Sequence, residues 1–315
     1  MCIRDRITLA TNEERTAVCC LSSVNLEEYD EWKNDKNFIP DLIRMLDNVI
    51  TYFVENAPDT LSKAKFSAKM ERSLGLGAMG FHAYLQRKNI PFESPMAVGV
   101  NKLMFGHIKK EAVNATKTLA VERGEAPDAV GEGVRNVHLL AVAPNASSSI
   151  ICGNTSPSIE PYRANAFTQK TKSGSSLLKN EYLEHILQEL EEDTDEVWKS
   201  IITNNGSVQH LEFLDDWTKD VFKTAVEIDQ RWIIEMAADR QKEICQSQSL
   251  NIFFPANVSK QELHAIHMMA WKKKVKTLYY LRSEAIKRAE TVSDEALRQY
   301  IFESMDEEGC LACEG

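Results

Sequence analysis

The stretch "NVHLLAVAPNASSSIICGNTSPSIEP", Asn136–Pro161, is an apolar run that breaks at a proline into small polar residues. Asn136–Pro144 reads as a strand and Asn145–Pro161 as the polar loop that follows it. The same change of character recurs along the chain. "TAVCCLSSVN" (Thr16–Asn25) reads as a buried strand running into a turn. "SLGLGAMGFHAYLQRK" (Ser73–Lys88) passes from a short extended piece into a helix. "SLNIFF" (Ser249–Phe254) is a strand stopped by Pro255, and a further strand is expected over Val275–Ser283. Between these pieces, helical spacing predicts helices over Pro40–Asn56, Met96 to Glu122, Asn180–Glu192, Asp195–Thr203 and Trp217–Cys245. Ser259 and Glu262 form a capping box that opens another. Ser293–Met305 reads as a last short helix. About five strands, each followed by a helix, predict an α/β protein with a mostly parallel sheet. With no internal repeat and no Pro- or Gly-rich linker, one domain is expected, followed by a C-terminal appendage.

Bulk properties narrow the function. The formal net charge is −10, which speaks against a nucleic-acid surface built of clustered Lys and Arg. The one short basic cluster, Trp271–Lys276, suits the C-terminal end of a helix. No apolar run is long enough to span a membrane, and "MCIRDRITLA" has no apolar core of a signal peptide. A cytoplasmic location follows as the expectation. In a reducing compartment the seven cysteines should be mostly thiols, with any disulfide transient and catalytic.

Several motifs could carry chemistry. Gly75, Gly77 and Gly80 fit G-x-G-x-x-G, which would suit an NAD-dependent oxidoreductase. The preceding "AKFSAKMERS" is too charged for the buried strand that such a site requires, so close packing of a helix on a strand is the plainer reading. His264 and His267 lie three apart on a helix, but no third ligand accompanies them and no metal site is expected. The small hydroxyls and free backbone N–H groups of Pro144–Ile151 would suit phosphate oxygens at the carboxyl end of a strand. Tyr279 and Tyr280 adjoin in a strand, where successive side chains face opposite ways and commonly just pack. Cys310 and Cys313 form a C-x-x-C near the chain end, with no second ligand pair and no helix to follow. This suits a dithiol that moves to meet a disulfide elsewhere. A flexible coil joining it to Ser283 would span about 30 Å. A non-enzymatic helical interaction protein is the remaining alternative.

Taken together, "AVCCLSSVNL", "RSLGLGAMGFHAYL", "PNASSSIICGNTSPSIEP", "KTLYYLRS" and "CLAC", in that order, resemble the C-terminal part of the large, catalytic subunit of class I ribonucleotide reductase. The resemblance implies the second half, about five strands, of a ten-stranded α/β barrel over residues 7–285, with a flexible redox tail over residues 286–315. It implies reduction of ribonucleoside diphosphates to deoxyribonucleotides by a radical mechanism. Cys19 takes the place of one member of the redox cysteine pair, while Cys20 falls at a variable position. Pro144, Asn145, Ala146, Ser147 and Ser148 match the loop that holds the substrate diphosphate. Tyr279 and Tyr280 match the tyrosine pair that relays the radical, which reverses the packing reading above. Cys310 and Cys313 match the tail dithiol that re-reduces the active-site disulfide and is itself reduced by thioredoxin or glutaredoxin.

The implied partners are a small subunit carrying the di-metal radical cofactor, a second large subunit and a nucleoside diphosphate. No cofactor is expected on this chain itself, and ATP or dNTP effectors would bind a preceding part. The start departs from the family pattern Asn-x-Cys-x-Glu-Ile. Aligning Ile7 puts Arg4 at the radical cysteine and Arg6 at the acid–base glutamate, with Cys2 out of register. Residues 1–6 therefore read as a foreign start on a truncated chain that is inactive alone. A half barrel would expose two sheet edges and an apolar face, both aggregation liabilities.

Overall fold

The computed structural model describes residues 9–171 and 174–283. The first strand, β1 (Cys20–Asn25), leads through α1 (Tyr29–Trp32), α2 (Phe38–Asn56) and α3 (Ser62–Glu71) to β2 (Leu74–Met79). The two strands are parallel, with Leu21 opposite Gly75 and Ser23 opposite Gly77. After α4 (Phe81–Arg87) and the long α5 (Pro95–Arg123), the chain returns as an extended segment beside β2. There Leu140 bridges Leu76, and Val142 bridges Gln248, both in parallel. The Gln248 segment runs on into β5 (Ile252–Phe254), which pairs in parallel with β6 (Leu281–Ser283). Backbone bonds tie each segment to the next: Leu76 N–H to Leu139 O (2.8 Å), Ser249 N–H to Val142 O (2.9 Å) and Tyr279 N–H to Leu250 O (2.8 Å). The result is five parallel segments lying in chain order, with helices between them. Among the described residues they form an open sheet and not a closed barrel.

One face of this sheet is covered. Val24, Leu74, Leu76, Leu140 and Val142 pack with Ile43 and Ile50 of α2, Met104 and Ile108 of α5, and a later pair of helices. Those are α10 (Gln230–Arg240) and α11 (Lys260–Lys272). Asp47 of α2 is fully buried in this layer. It accepts bonds from Arg72 Nε (2.8 Å), Arg123 (2.9 Å) and Asn136 Nδ2 (3.0 Å), which fixes the entry of the third segment.

Helix boundaries follow local chemistry. Ser94 Oγ accepts the Ala97 N–H at the start of α5, and Ser259 Oγ accepts the Glu262 N–H at the start of α11, as the capping box requires. The expected helix over Trp217–Cys245 is instead two, α9 (Asp216–Val221) and α10. Asp229 interrupts it by accepting the Arg231 N–H (2.9 Å) and capping the second. The Glu227 carboxylate holds the connecting turn through the Thr224 N–H (2.7 Å).

One feature was not expected from the sequence. Two antiparallel strands, β3 (Ala166–Thr171) and β4 (Gly174–Lys179), form a hairpin between α6 (Ala146–Ile151) and α7 (Glu181–Glu189). Leu183 and Leu187 of α7 build a second, smaller core with Trp198 and Ile201 of α8 (Asp195–Thr203) and with Phe222.

Candidate functional site

Residues on the sheet face away from these helices alternate with those of the packed face. Cys20, Val24 and Leu76 join the helix-covered core, so Cys19, Leu21 and Ser23 face the other way, over Gly75 and Gly77. A Cβ placed on Gly75 would lie 2.9 Å from Cys19 Sγ, so the thiol reaches across the space that glycine leaves. Gln246 Nε2 donates to the same sulfur at 3.4 Å. Burial pushes the Cys20 thiol up, away from the reactive thiolate form. Gly75 and Gly77 thus lie inside β2 and not in a turn after it. No dinucleotide loop is formed, and the glycines admit not a helix but, at Gly75, the side chains of Leu21 and Cys19 and, at Gly77, the backbone of the Ala141–Val142 segment.

The expected polar loop after Pro144 is a short helix, α6, entered through Asn145 in the left-handed region at φ 49°. Asn tolerates that conformation because its short amide bonds locally. Here Ser23 Oγ donates to Asn145 Oδ1 at 3.1 Å. This bond ties the strand face that carries Cys19 to the Pro144–Ser148 turn. Cys19 and Ser23 are separated by about 13 Å of strand. The N–H groups of the first turn of α6 have no intrahelical acceptor and sit beside small hydroxyl side chains.

The chain beyond α6 is clamped to the start of α4. Ser156 O accepts the Gly80 N–H (2.7 Å), and His82 Nδ1 accepts the Tyr162 N–H (2.9 Å). His82 is fully buried and its proton affinity is lowered to about 3 by desolvation, so the ring is neutral with its proton on Nε2. Glu160, in the same segment, is buried and pushed up to about 7 by desolvation, opposed by Asn251, Arg163 and Arg282. The sequence reading passed over both residues; an acid and a histidine flanked by apolar neighbours in "SIEP" and "FHAYL" were the available signals.

Tyr279 and Tyr280 do not face apart. Their ring centroids are 4.1 Å apart with a 52° tilt. Strand alternation fails because the regular strand begins only at Leu281, and the Tyr280 N–H goes to Asn251 Oδ1 (3.0 Å) instead of a backbone carbonyl. His267 bonds its own helix through Leu263 O, and the described residues hold no cluster of three or more groups placed for a metal. Cys2, Arg4, Arg6, the helix expected over Ser293–Met305, and Cys310 and Cys313 lie outside the described residues.

Comparison with known proteins accounts for this arrangement. The ribonucleotide reductase barrel domain matches residues 6–131 and 126–281. The chain belongs to the ribonucleotide reductase large-subunit family. It is 53% identical over 291 residues to the ribonucleoside-diphosphate reductase large subunit of Invertebrate iridescent virus 6, covering 91% of this chain and 30% of that protein. A putative large subunit from Frog virus 3 is 49% identical, covering 99% of this chain and 54% of the relative. Among solved structures, the Actinobacillus ureae class Id ribonucleotide reductase alpha subunit superposes with a TM-score of 0.83 at 39% identity, covering 90% of this chain and 53% of that one. The chain thus spans about half or less of the length of these relatives. Among the described residues, no helix is long and apolar enough to cross a membrane.

Proposed function

We propose that this chain supplies the C-terminal half of the catalytic barrel of a ribonucleoside-diphosphate reductase, which converts ribonucleoside diphosphates to deoxyribonucleotides. The observation that carries the reading is the Ser23–Asn145 bond, which ties the strand face of the Cys19 thiol to the Pro144–Ser148 turn. That separation is one an extended nucleoside diphosphate covers, with its phosphates at the free N–H groups of α6 and its ribose near Cys19.

In this reading Cys19 gives up its thiol proton and forms one half of a disulfide as the 2′-hydroxyl leaves as water. The second redox thiol and the radical thiol come from the part of the relatives that this chain does not span. Gln246 orients the Cys19 sulfur, and burial keeps the neighbouring Cys20 a protonated thiol. Tyr279 and Tyr280, in ring contact, relay the radical from a small subunit that carries the di-metal cofactor. A phenol suits that step because it can lose an electron and its proton together. Cys310 and Cys313 then reduce the disulfide, and thioredoxin or glutaredoxin restores them. Pairing with a second large subunit belongs to the assembled enzyme.

The test joins this chain to the first part of the iridescent virus relative and supplies small subunit and reductant. Turnover is expected from the chimera and not from the chain alone. Cys19→Ser should abolish reduction. Cys313→Ser should lose multiple turnover with thioredoxin and keep a single cycle. Multiple turnover by Cys19→Ser would refute the assignment of the active-site thiol.

A further inference from the structure

Glu160 has no part in the reaction described above, yet its surroundings lead to the tyrosine pair. It is 2% exposed, and its Oε1 has no hydrogen-bond partner. Asn251, beside it, presents both its side-chain amide and its backbone N–H to the carboxyl, while Arg163 and Arg282 supply positive charge. The other end of the same amide, Asn251 Oδ1, accepts the Tyr280 N–H at 3.0 Å. The amide cannot turn over, because Nδ2 would then meet a second donor. Asn251 therefore lies between the Glu160 carboxyl and the Tyr280 backbone, with its amide orientation set by the Tyr280 N–H. The Tyr280 ring is approached separately. The Arg282 guanidinium carbon lies 4.6 Å from its centroid, and Arg282 Nε is buried without a partner.

We infer that Glu160 is a positioning residue for the tyrosine pair: its carboxylate fixes Asn251 under Tyr280 and balances the Arg282 cation on the Tyr280 ring. The physical consequence concerns charge. A cation over the face of an aromatic ring is attracted to the electron density there and opposes its removal. A carboxylate nearby offsets that field, so the charge on Glu160 sets how readily Tyr280 gives up an electron. The groups facing Glu160 are Arg163 from its own segment, Arg282 from β6 and the neutral Asn251 beside β5. Desolvation works against all three and brings the carboxyl to titrate near neutrality, at about 7. The consequence for catalysis rests on the relay reading of the pair; the coupling of Glu160 to the ring does not.

The coupling is tested with 4-fluorophenylalanine at position 280 of the 315-residue chain, a probe with no ionisable group of its own. Its fluorine NMR shift is followed from about pH 5 to pH 9. With Glu160 present the shift should titrate with a midpoint near 7. Glu160→Gln, which keeps the shape and removes the charge, should flatten the curve. Arg282→Gln should keep the curve and move its midpoint upward, because a cation that favoured the carboxylate is gone. A curve that is flat with Glu160 present, or that survives in Glu160→Gln, overturns the inference, as does an unmoved midpoint in Arg282→Gln. In the chimeric large subunit, Glu160→Gln should remove an inflection near pH 7 from the kcat profile that Glu160→Asp retains. Full turnover by Tyr280→Phe would instead overturn the relay reading and leave the fluorine result standing. Loss of turnover by Tyr280→Phe, with an unchanged Glu160→Gln profile, overturns the inference alone.

Discussion

Gly75→Ala and Gly77→Ala are both single methyl additions to one strand, yet the structure separates them. At Gly77 the new Cβ would sit 2.5 Å from Ala141 O and 3.2 Å from Val142 Cα, both backbone of the next sheet segment. At Gly75 it would meet Leu21 Cδ2 at 2.4 Å and Cys19 Sγ at 2.9 Å, the ends of side chains that can rotate. Overpacking of this kind costs roughly 1–3 kcal/mol. The upper end applies at Gly77, where a hydrogen-bonded segment must move by nearly an ångström, and the lower end at Gly75. Replacing Gly by Ala returns about 0.4–1 kcal/mol by restricting the unfolded chain. The net expectation is a loss of about 2 kcal/mol for Gly77→Ala and under about 1 kcal/mol for Gly75→Ala. With a urea dependence of about 3 kcal/mol per molar, the midpoints should fall by about 0.7 M and less than about 0.3 M. Urea titration followed by tryptophan fluorescence measures both. Alkylation of Cys19 should change in Gly75→Ala and not in Gly77→Ala. Equal midpoints, or a greater loss at Gly75, would refute the placement of these glycines across the sheet.

Three further expectations follow from the same geometry. His82, lowered to about 3, favours folding more as pH rises between that value and its ordinary 6.5, because only the unfolded chain then binds the proton. Glu160, raised to about 7 from 4.5, acts oppositely between those values, because only the folded chain holds the proton. The two should nearly cancel between pH 4.5 and 6.5, so thermal melts should show His82→Gln losing stability as pH rises through that window and Glu160→Gln gaining it. Ser23→Ala should cost about 1 kcal/mol for the lost bond to Asn145, and Asn145→Ala should cost more than Asn145→Gly because of the positive φ; urea titration ranks them. Tyr182→Phe, which strips the 2.5 Å hydrogen bond from the buried Glu27, should cost about 1–3 kcal/mol, read by the same titration.

Much of this was legible in the sequence because burial leaves plain marks. Four of the five parallel segments fall within the stretches Thr16–Asn25, Ser73–Lys88, Asn136–Pro144 and Ser249–Phe254, since a strand packed against helices must be apolar; the fifth, expected over Val275–Ser283, is regular only over Leu281–Ser283, where it is largely exposed. What escaped depended on partners distant in sequence. The β3–β4 hairpin is a polar sequence held by a small separate core that no local pattern announces. The helix at Ala146 follows a left-handed Asn145 whose stability comes from Ser23, far away in the chain. The approach of the Tyr279 and Tyr280 rings depends on Asn251 taking a backbone N–H that a regular strand would have used. Glu160 looks like a surface acid until its burial is known.

Because the five parallel segments lie side by side in chain order, each finds its pairing partner already made when it emerges from the ribosome. The sheet can therefore grow at one edge during synthesis, one strand and covering helix at a time, without waiting for distant sequence. Synthesis sets the pace of such growth, and the last-made edge carries Tyr280. The Tyr279–Tyr280 pair, proposed above to relay the radical, would then be the final part of this sheet to be assembled, placed only after the Cys19 strand and the α6 turn are in position.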